Sequence, residues 1–318
     1  MMEICFIFPD GREIRPVKKP TRMELLRDMD TPADGLELRY DALQPVFGEV
    51  PVSVRVMQGE TLIFEGIVDT HTVETEKGVR TERFLCRSTA AKLLDNEAQP
   101  GVLNRPSVRL MDRLYLAPFG LRADDRSAGF TAGRLSVEQK TRCWTVLQRF
   151  AEQLLGTDIF CKRDGTVCFS ARAGKLLHLP TAVRLRLTRN SYARISRVVV
   201  QNARTGAYNT VYDNENARGV QRIRYLSARA ETAPQAVLSA GEQEALLVTA
   251  VFPGYIDADP GDRADLTAYD PTLPQLQVIA VQYVQNGGNG ETVLELKTLT
   301  GGKENGDVEF KTDSRRTA

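Results

Sequence analysis

The stretch Arg80–Gly101, RTERFLCRSTAAKLLDNEAQPG, contains residue types that could form a reaction centre: a thiol, a hydroxyl, cations and carboxylates. A nucleophilic cysteine needs a neighbouring base and an acid that orients it. The sequence offers two histidines as bases, His71 and His178. Cys86, however, lies in phase with Phe84 on the inward positions of a predicted strand, and cysteine favours protein cores. The pattern therefore favours a buried structural thiol over a nucleophile.

The residues that follow Cys86 also have structural explanations. Ser88 precedes the helix-forming run STAAKLL, so we expect it to cap a short helix that the sequence QPG ends. Arg87 and Asp95 or Glu97 are expected to be surface or interface charges. The sequence leaves open whether they face solvent or another subunit. The stretch is thus predicted to be a joint between structural elements.

A second candidate site is the acidic stretch YIDADPGDRADLTAYDP, whose spacing suggests calcium. The closely spaced aspartates are Asp257, Asp259, Asp262 and Asp265. An EF-hand loop needs acids at its first, third and fifth positions, then a glycine, and a closing glutamate. Here Pro260 and Gly261 are out of register and the glutamate is absent. The stretch favours a Pro-Gly turn between strands, and the sequence predicts no catalytic, cofactor-binding or metal-binding residue.

Composition places the chain among ordinary globular proteins. Of its 318 residues, 42% are hydrophobic and 26% are charged, a length that suits two or three domains. The net charge of +1 lacks the basic excess expected of a protein whose main partner is nucleic acid. Residues 1–98 hold 13 Lys and Arg against 18 Asp and Glu, whereas residues 99–175 hold 13 against 7. The opposite net charges of these two segments suit either complementary interfaces between domains or subunits, or two separately solvated surfaces.

The cysteines and the N-terminus indicate where the protein is made. Five cysteines without a CxxC pair leave at least one thiol unpaired, which is typical of a reducing compartment. The N-terminus lacks the basic region and cleavage site of a signal peptide, and no stretch approaches the roughly 18 apolar residues of a membrane span. We expect assembly in the cytoplasm and no stable membrane insertion.

Alternating hydrophobicity predicts strands over most of the first hundred residues. GLELRYDA alternates apolar and charged residues, and the segment from Val52 to Thr70 predicts a hairpin that turns near Gly59. The next hairpin is expected to turn at Lys77–Gly78. Gly66, inside a predicted strand, is expected to mark a bulge where a barrel bends.

In the middle of the chain the hydrophobic pattern changes from alternation to helical spacing. The run SVEQKTRCWTVLQRFAEQLLG places apolar residues at helical spacing from Cys143, and Gly156 follows where a helix C-cap belongs. A hairpin is predicted to turn on Asp164–Gly165. Strands resume near Arg184, interrupted by a helix with Pro234 in its first turn, and QNGGNGE predicts a further hairpin.

These elements predict a mainly β chain with an α+β insertion. We expect a first tube-like antiparallel β-barrel domain at residues 1–98, a small α/β domain at 99–183 and a second tube-like β-barrel domain at 184–300. Residues 301–318, which show little apolar patterning, are expected to form a flexible tail that is free or docks on a partner.

Several stretches, in order along residues 20–300, resemble the baseplate hub family of contractile phage tails, which includes late control protein D and prophage tail proteins. The segments that carry the resemblance are DMDTPADGLELRYD, IFEGIVDTHTVE, FLCRSTAAKLLDNEA, TRCWTVLQRFAEQLLGTDIFCKRDGTVCF, GVQRIRYLS and DADPGDRADL. The resemblance implies two barrel domains beside an α/β domain. It also implies a homotrimer whose six barrels form a pseudo-six-fold ring between a six-fold tail tube and a three-fold spike.

The expected function is therefore structural and non-enzymatic. The partners implied by the resemblance are further copies of the chain, the tail spike protein, the tail tube protein and other baseplate proteins, in the host cytoplasm and then in the tail. Two alternatives are a tail-associated cell-wall hydrolase and a spike-type effector carrier of a type VI-like secretion system. The hydrolase has no residue constellation to support it, and we expect the carrier to need a long C-terminal needle.

Overall fold

The computed structural model describes residues 2–41, 49–124, 131, 133–170, 172–230 and 232–299. Strands account for 45% and helices for 17%, which confirms the predicted mainly β class. The chain forms two compact units. Unit 1 comprises Met1–Gly174, Pro253–Gly261 and Ala280–Thr292, and unit 2 comprises Lys175–Phe252, Asp262–Ile279 and Val293–Ala318. The finer division at residues 98, 183 and 300 stays a prediction, and the predicted tail at 301–318 lies outside the described residues.

Among the described residues, the first 88 positions contribute seven antiparallel strands to the large sheet of unit 1. They are β1 (Met2–Ile7), β2 (Glu13–Ile14), β3 (Arg22–Asp28), β4 (Gly35–Asp41), β5 (Ser53–Gln58), β6 (Thr61–Glu76) and β7 (Val79–Ser88). Their order in the sheet is β3-β4-β7-β6-β5-β1-β2. The alternation seen in the sequence buries one face, so Leu36, Leu38 and Tyr40 of β4 all enter the core.

This sheet curls around its own core. Phe6 on β1 and Tyr40 on β4 are four strands apart in the sheet order, which in a flat sheet would separate them by about 19 Å. Their ring centroids are 6.5 Å apart, and Phe6 also lies 4.9 Å from Phe84 on β7. The described strand pairs nevertheless form a linear order, so closure into a barrel stays a prediction.

The predicted hairpins of this sheet are confirmed, with one correction. Lys77 and Gly78 both have positive φ, 49° and 79°, as a two-residue type I′ turn requires. The predicted bulge at Gly66 is wrong, because the register of β6 against β7 shifts between Val68 and Thr70. Gly66 pairs regularly with Ser88, and the backbone beside it leaves no room for a side chain.

The rest of unit 1 is built from short elements around a second core. They are α1 (Ala91–Asp95), β8 (Gly101–Asn104), α2 (Val108–Met111), β9 (Arg122–Ala123), β10 (Arg134–Val137), α3 (Cys143–Phe150), β11 (Phe160–Cys161) and β12 (Thr166–Cys168). Helix α3 continues as a π-helical turn to Leu155 and ends at Gly156, whose φ of 66° confirms the predicted C-cap. The hairpin β11–β12 is also confirmed.

The prediction that Ser88 caps the first helix is wrong. Strand β7 continues through Ser88, and α1 begins three residues later at Ala91, with Ala90 at its N-cap and no capping side chain. The Ser88 hydroxyl accepts a hydrogen bond from the backbone N–H of Asp34 at 3.0 Å. A tertiary contact therefore uses the oxygen that the local sequence assigned to the helix.

Unit 2 contains a larger sheet, a small sheet and a helix. Its elements are β13 (Leu176–Leu177), β14 (Arg184–Arg189), β15 (Arg197–Gln201), β16 (Tyr208–Asp213), β17 (Ile223–Leu226), α4 (Pro234–Ala245), β18 (Leu246–Pro253), β19 (Arg263–Ala264), β20 (Leu276–Asn286) and β21 (Asn289–Thr298). The larger sheet has the order β14-β18-β21-β20, and the small sheet β16-β15-β17. Val198 of the small sheet packs against Leu238 of α4.

The hairpin formed by β20 and β21 confirms the prediction made from QNGGNGE, with Gly287 at a positive φ of 59°. Residues Ala280–Asn286 of β20 belong to unit 1, where they pair antiparallel with β3. Helix α4 begins at Pro234 as predicted and continues to Ala245. Within the described ranges, no helix combines the length and apolar character needed to cross a membrane.

Candidate functional site

The thiol of Cys86 is held in the core of unit 1. Strand pairing sets Cys86 opposite Leu36 on β4 and Val68 on β6, and the residue is 3% exposed. Burial, with a smaller contribution from the negative charge of Asp69, raises the pKa of Cys86 to about 12. Because the thiolate is the reactive form, both the burial and the raised pKa disfavour this cysteine as a nucleophile near neutral pH.

Its neighbour Arg87 joins three elements. The guanidinium donates from Nε and Nη2 to both carboxylate oxygens of Asp69 on β6, at 2.7 and 2.9 Å. It also donates from Nη1 and Nη2 to both oxygens of Asp95 at the end of α1, at 3.0 and 2.8 Å. Arg87 and Asp95 therefore pair with each other within one chain, and both side chains keep part of their surface exposed.

We call the cluster of Arg87, Asp69 and Asp95 the Arg87 joint, and its hydrogen bonds shift the pKa values of its members. Hydrogen bonding to Asp69 and Asp95 raises the pKa of Arg87, and bonding to Arg87 holds the pKa of Asp95 below its ordinary value. Glu97, the other predicted charge, forms an isolated backbone bridge with Arg142 just before α3. The stretch Arg80–Gly101 therefore connects the large sheet of unit 1 to its helical core, as predicted.

A second, more deeply buried charge cluster lies elsewhere in unit 1. Arg27 of β3 is 1% exposed and shares the inward face of its strand with Met23 and Leu25. Its guanidinium donates to Asp34 Oδ2 at 3.2 Å, to the carbonyl oxygen of Ala258 at 3.1 Å and to the carbonyl oxygen of Ile63. Burial raises the pKa of the Asp34 carboxyl, and the charge of Arg27 acts in the opposite direction.

Arg163 and Arg172 also donate hydrogen bonds to the stretch around Ala258 that Arg27 contacts. Arg163, in the turn between β11 and β12, donates to Asp259 Oδ1 at 2.8 Å, to Asp257 Oδ1 at 2.6 Å and to the Ala258 carbonyl at 3.2 Å. Arg172 donates to the Pro260 carbonyl at 2.7 Å. We call Pro253–Gly261 the return segment, because it belongs to unit 1 although residues 175–252 belong to unit 2.

This cluster, which we call the arginine clamp, consists of Arg27, Arg163, Arg172, Asp34 and the return segment. Each guanidinium contacts the return segment, so three separate parts of unit 1 converge on four consecutive residues, Asp257–Pro260. Buried guanidinium groups are tolerated when their donors are satisfied, and here carbonyl and carboxylate oxygens do so. The chemical role of the arginine clamp is to hold the backbone of the return segment in place.

The aspartates considered for calcium are used in separate ways. Asp257 and Asp259 accept from Arg163, Asp262 accepts from the backbone N–H of Lys175 at 3.0 Å, and Asp265 accepts from the N–H of Thr267 at 2.9 Å. Over the part of the chain that the structure describes, no group of three or more His, Cys, Asp or Glu side chains is placed to hold a metal ion.

Sequence reasoning missed the arginine clamp. One signal for it was present, since Arg27 occupies the position that continues the buried alternation of Met23 and Leu25. An arginine in phase with core residues indicates a buried partner. Arg163, next to the Asp164–Gly165 turn, carries no comparable signal.

No family model matches the sequence, and no curated protein matches it. Solved structures do match in fold. The chain resembles the tail protein of prophage MuSo2 from Shewanella oneidensis, with a TM-score of 0.73 and 15% identity over 94% of this chain and 98% of that one. It resembles a tail protein from Neisseria meningitidis with a TM-score of 0.66 and 17% identity, over 93% and 96% of the two chains.

A third similar structure comes from a secretion system. It is an Escherichia coli component of the type VI secretion system, described as structurally similar to the T4 bacteriophage tail proteins gp27 and gp5. The TM-score is 0.52 at 9% identity, over 89% of this chain and 74% of that one. Nearly whole-length agreement with two tail proteins shows that this chain has the fold of prophage tail proteins, which confirms, at the level of fold, the resemblance predicted from its sequence.

Proposed function

We propose that this chain is the structural hub of a phage or phage-like contractile tail baseplate. In this proposal three copies form a pseudo-six-fold ring, to which each copy contributes two tube-like barrels, from residues 1–98 and 184–300, flanking the α/β segment 99–183. The ring joins the tail tube to the central spike after assembly in the host cytoplasm. The observation that carries the proposal is the fold shared with prophage tail proteins along almost all of both chains.

The organisation of unit 1 supports a structural role. The arginine clamp and the Arg87 joint both use charged side chains to fix one chain segment against another. Partly buried ion pairs between arginine and aspartate are costly to break, so they suit a protein that must keep its shape under mechanical force. The acidic segment 1–98 and the basic segment 99–175 are proposed to face partners of opposite charge in the ring.

Particle mass and shape test the ring directly. Light scattering of the purified full chain is expected to give three times the mass of one chain, and electron-microscope class averages a three-fold ring with an axial opening. A stable monomer at micromolar concentration that stays monomeric when mixed with the spike protein of the same tail would overturn the proposal.

Partner binding tests the position in the tail. We expect the full chain, co-expressed with the tube and spike proteins of the same tail, to co-purify with both. Binding to neither would contradict the hub role. The same preparation is expected to release no products from peptidoglycan, and release of products would favour the cell-wall hydrolase instead.

The type VI alternative has one supporting observation, the fold shared with the Escherichia coli secretion component. The match to that protein covers 74% of its length, compared with 98% for the prophage MuSo2 tail protein. The greater extent and higher TM-score of the tail protein matches favour the tail hub. Co-purification with a secreted effector, and not with a tail tube protein, would favour the secretion system.

A further inference from the structure

The small sheet of unit 2 has two faces that differ in their surroundings. Val198 of the central strand β15 packs against Leu238 of α4, so the helix covers one face. Val199, the next residue, points to the other face, and it pairs with Val211 of β16 and Tyr225 of β17. Because side chains alternate along a strand, the residues in phase with Val199 form a surface opposite to α4.

This surface, which we call the tyrosine face, is apolar and exposed. It consists of Val199, Tyr208, Val211, Ile223 and Tyr225, together with the ion pair of Arg197 and Asp213. Tyr225 is 64% exposed, Tyr208 48% and Ile223 41%. The two tyrosine rings meet edge to face with their centroids 5.5 Å apart. An exposed apolar patch marks an interaction site, and tyrosines that already hold each other lose little freedom on binding.

The surroundings of the tyrosine face are basic. Residues 191–230 hold seven arginines against two acids, a net charge of +5. One of these acids, Asp213, is already engaged, because it accepts from Arg197 Nε at 2.6 Å and Nη2 at 3.2 Å. Arg204 and Arg218 lie at opposite ends of the sheet, in the β15–β16 and β16–β17 connections, and have no ion-pair partner in the described ranges. A complementary partner therefore has an acidic rim around an apolar centre.

The symmetry of the proposed ring narrows the choice of partner. Strands β1–β7 all belong to the large sheet of unit 1, so the described part of residues 1–98 contains no equivalent of the small sheet. Although each copy is proposed to contribute two barrels, it contributes one tyrosine face. The ring would therefore present this face three times, and a partner seated on all three copies would have three-fold symmetry.

We infer that the tyrosine face docks a protein of three-fold symmetry, through contact surfaces that have an apolar centre and an acidic rim. In the proposed function that protein is the spike, so the inference rests on that function and adds to it the surface that is used.

Two other occupants fit the tyrosine face less well. Successive bases of a nucleic acid stack on aromatic rings, but the two tyrosine rings stand at 90° to each other, and Ile223 and the valines cannot hydrogen-bond a base. A second copy that docked through its own tyrosine face would bring two basic surfaces together.

Calorimetric titration of the full chain with the purified spike and tube proteins of the same tail tests the docking. The double variant Tyr208→Ser with Tyr225→Ser removes both exposed rings. We expect its affinity for the spike protein to fall at least about tenfold, as for the loss of aromatic anchors from an interface. Its affinity for the tube protein is expected to stay unchanged, which also shows that the variant is folded.

Two further variants serve as control and second test. Tyr192→Ser removes a tyrosine that is 81% exposed but lies on the α4 side of the sheet, in a turn whose Ala193 carbonyl lies beside Gly241 of α4. We expect this matched control to bind the spike protein as the natural chain does. Arg204→Glu reverses a charge at the rim, and we expect it to weaken spike binding and to make binding less sensitive to added salt.

The remaining outcomes decide against the inference in different ways. Equal spike affinity in the natural chain and the double variant would overturn it and leave the hub function standing. Loss of tube binding with spike binding kept would overturn the three-fold assignment. A particle mass that falls to that of one chain in the double variant would assign the face to a second copy, and binding of single-stranded oligothymidine that this variant abolishes would assign it to nucleic acid. Either result would overturn docking of the spike, whereas a natural chain that binds neither protein would overturn the hub function itself.

Discussion

Arg163 Nε lies 2.8 Å from Asp259 Oδ1, although the two residues are 96 positions apart in the chain. The contact ties the turn of the β11–β12 hairpin to the return segment, and Arg27 and Arg172 hold the same segment. A local hairpin is thus stabilised by residues that enter unit 1 only after most of unit 2 has been traversed.

The substitution Arg163→Met is expected to lower the free energy of unfolding by about 2 kcal/mol. That value lies between the effects of surface and buried pairs, because Arg163 is 13% exposed while its aspartate partners are nearly half exposed. Urea unfolding followed by tryptophan fluorescence measures it. Arg122→Met, which removes an exposed pair with Asp164, is the matched control and is expected to cost less than about 1 kcal/mol. Equal losses in both variants would show that the clamp adds nothing beyond a surface pair.

Two strand glycines give a matched test of packing in the large sheet. A Cβ at Gly66 would lie 2.1 Å from the carbonyl oxygen of Arg87 and 2.8 Å from the ring of Phe64, whereas a Cβ at Gly35 would meet nothing within 4 Å. Gly66→Ala is expected to destabilise by about 2–3 kcal/mol, because β7 must shift to make room. Gly35→Ala is expected to be neutral or to stabilise by up to about 1 kcal/mol.

Thermal denaturation of the two variants measures this difference. A Tm for Gly66→Ala that equals that of Gly35→Ala would contradict the close approach of β6 to β7.

Cys86 is expected to resist alkylation. With a pKa of about 12, its thiolate fraction at pH 8 is about one part in 10⁴, and the side chain is buried. Iodoacetamide labelling followed by peptide mass spectrometry is expected to modify Cys86 only after unfolding in urea. Val73→Cys, at an exposed position of the same β6–β7 hairpin, is the control and is expected to label rapidly. Rapid labelling of Cys86 in the folded chain would reopen its assignment as a structural thiol.

The Arg87 joint is expected to weaken in acid. Because Arg87 holds the pKa of Asp95 below its ordinary value, Asp95 stabilises the fold above its unfolded pKa of about 3.9, and this contribution is lost as pH falls through the lower folded pKa. At pH 7 Asp95→Asn is expected to cost about 0.5–1 kcal/mol, since Asp95 is 47% exposed.

Urea unfolding at pH 7 and pH 3 measures this effect, because protonated aspartate resembles asparagine. The difference in stability between the natural chain and Asp95→Asn is expected to shrink at pH 3. A difference that stays constant or grows in acid would show that Asp95 does not act through its charge.

Local signals predicted local structure well. The alternation of Leu36, Leu38 and Tyr40, the Lys77–Gly78 turn and the Gly156 cap each depend on residues close in sequence, and the structure confirms them. These signals suffice because backbone geometry and burial on one face decide each case.

Long-range structure could not be predicted in the same way. The pairing of Tyr283 on β20 with Leu25 on β3, and the acceptance by Ser88 of a bond from Asp34, depend on partners that no local pattern names. The arginine clamp was missed for this reason, and the aspartates at 257 and 259 were considered for a metal when their partner is Arg163. The sequence positions of charged residues follow no strong periodic pattern, so their ion-pair partners can be identified only from the tertiary fold.

The return segment has a consequence for biosynthesis. A nascent chain emerging from the ribosome presents residues 1–174 long before Asp257–Pro260, so Arg163 lacks all of its acceptors in the return segment and Arg27 lacks the Ala258 carbonyl. An unsatisfied buried guanidinium is costly, which keeps unit 1 from reaching its final packing early. The arginine clamp thus acts as a check on completeness, because unit 1 becomes fully stable only after nearly all of the described chain has been translated.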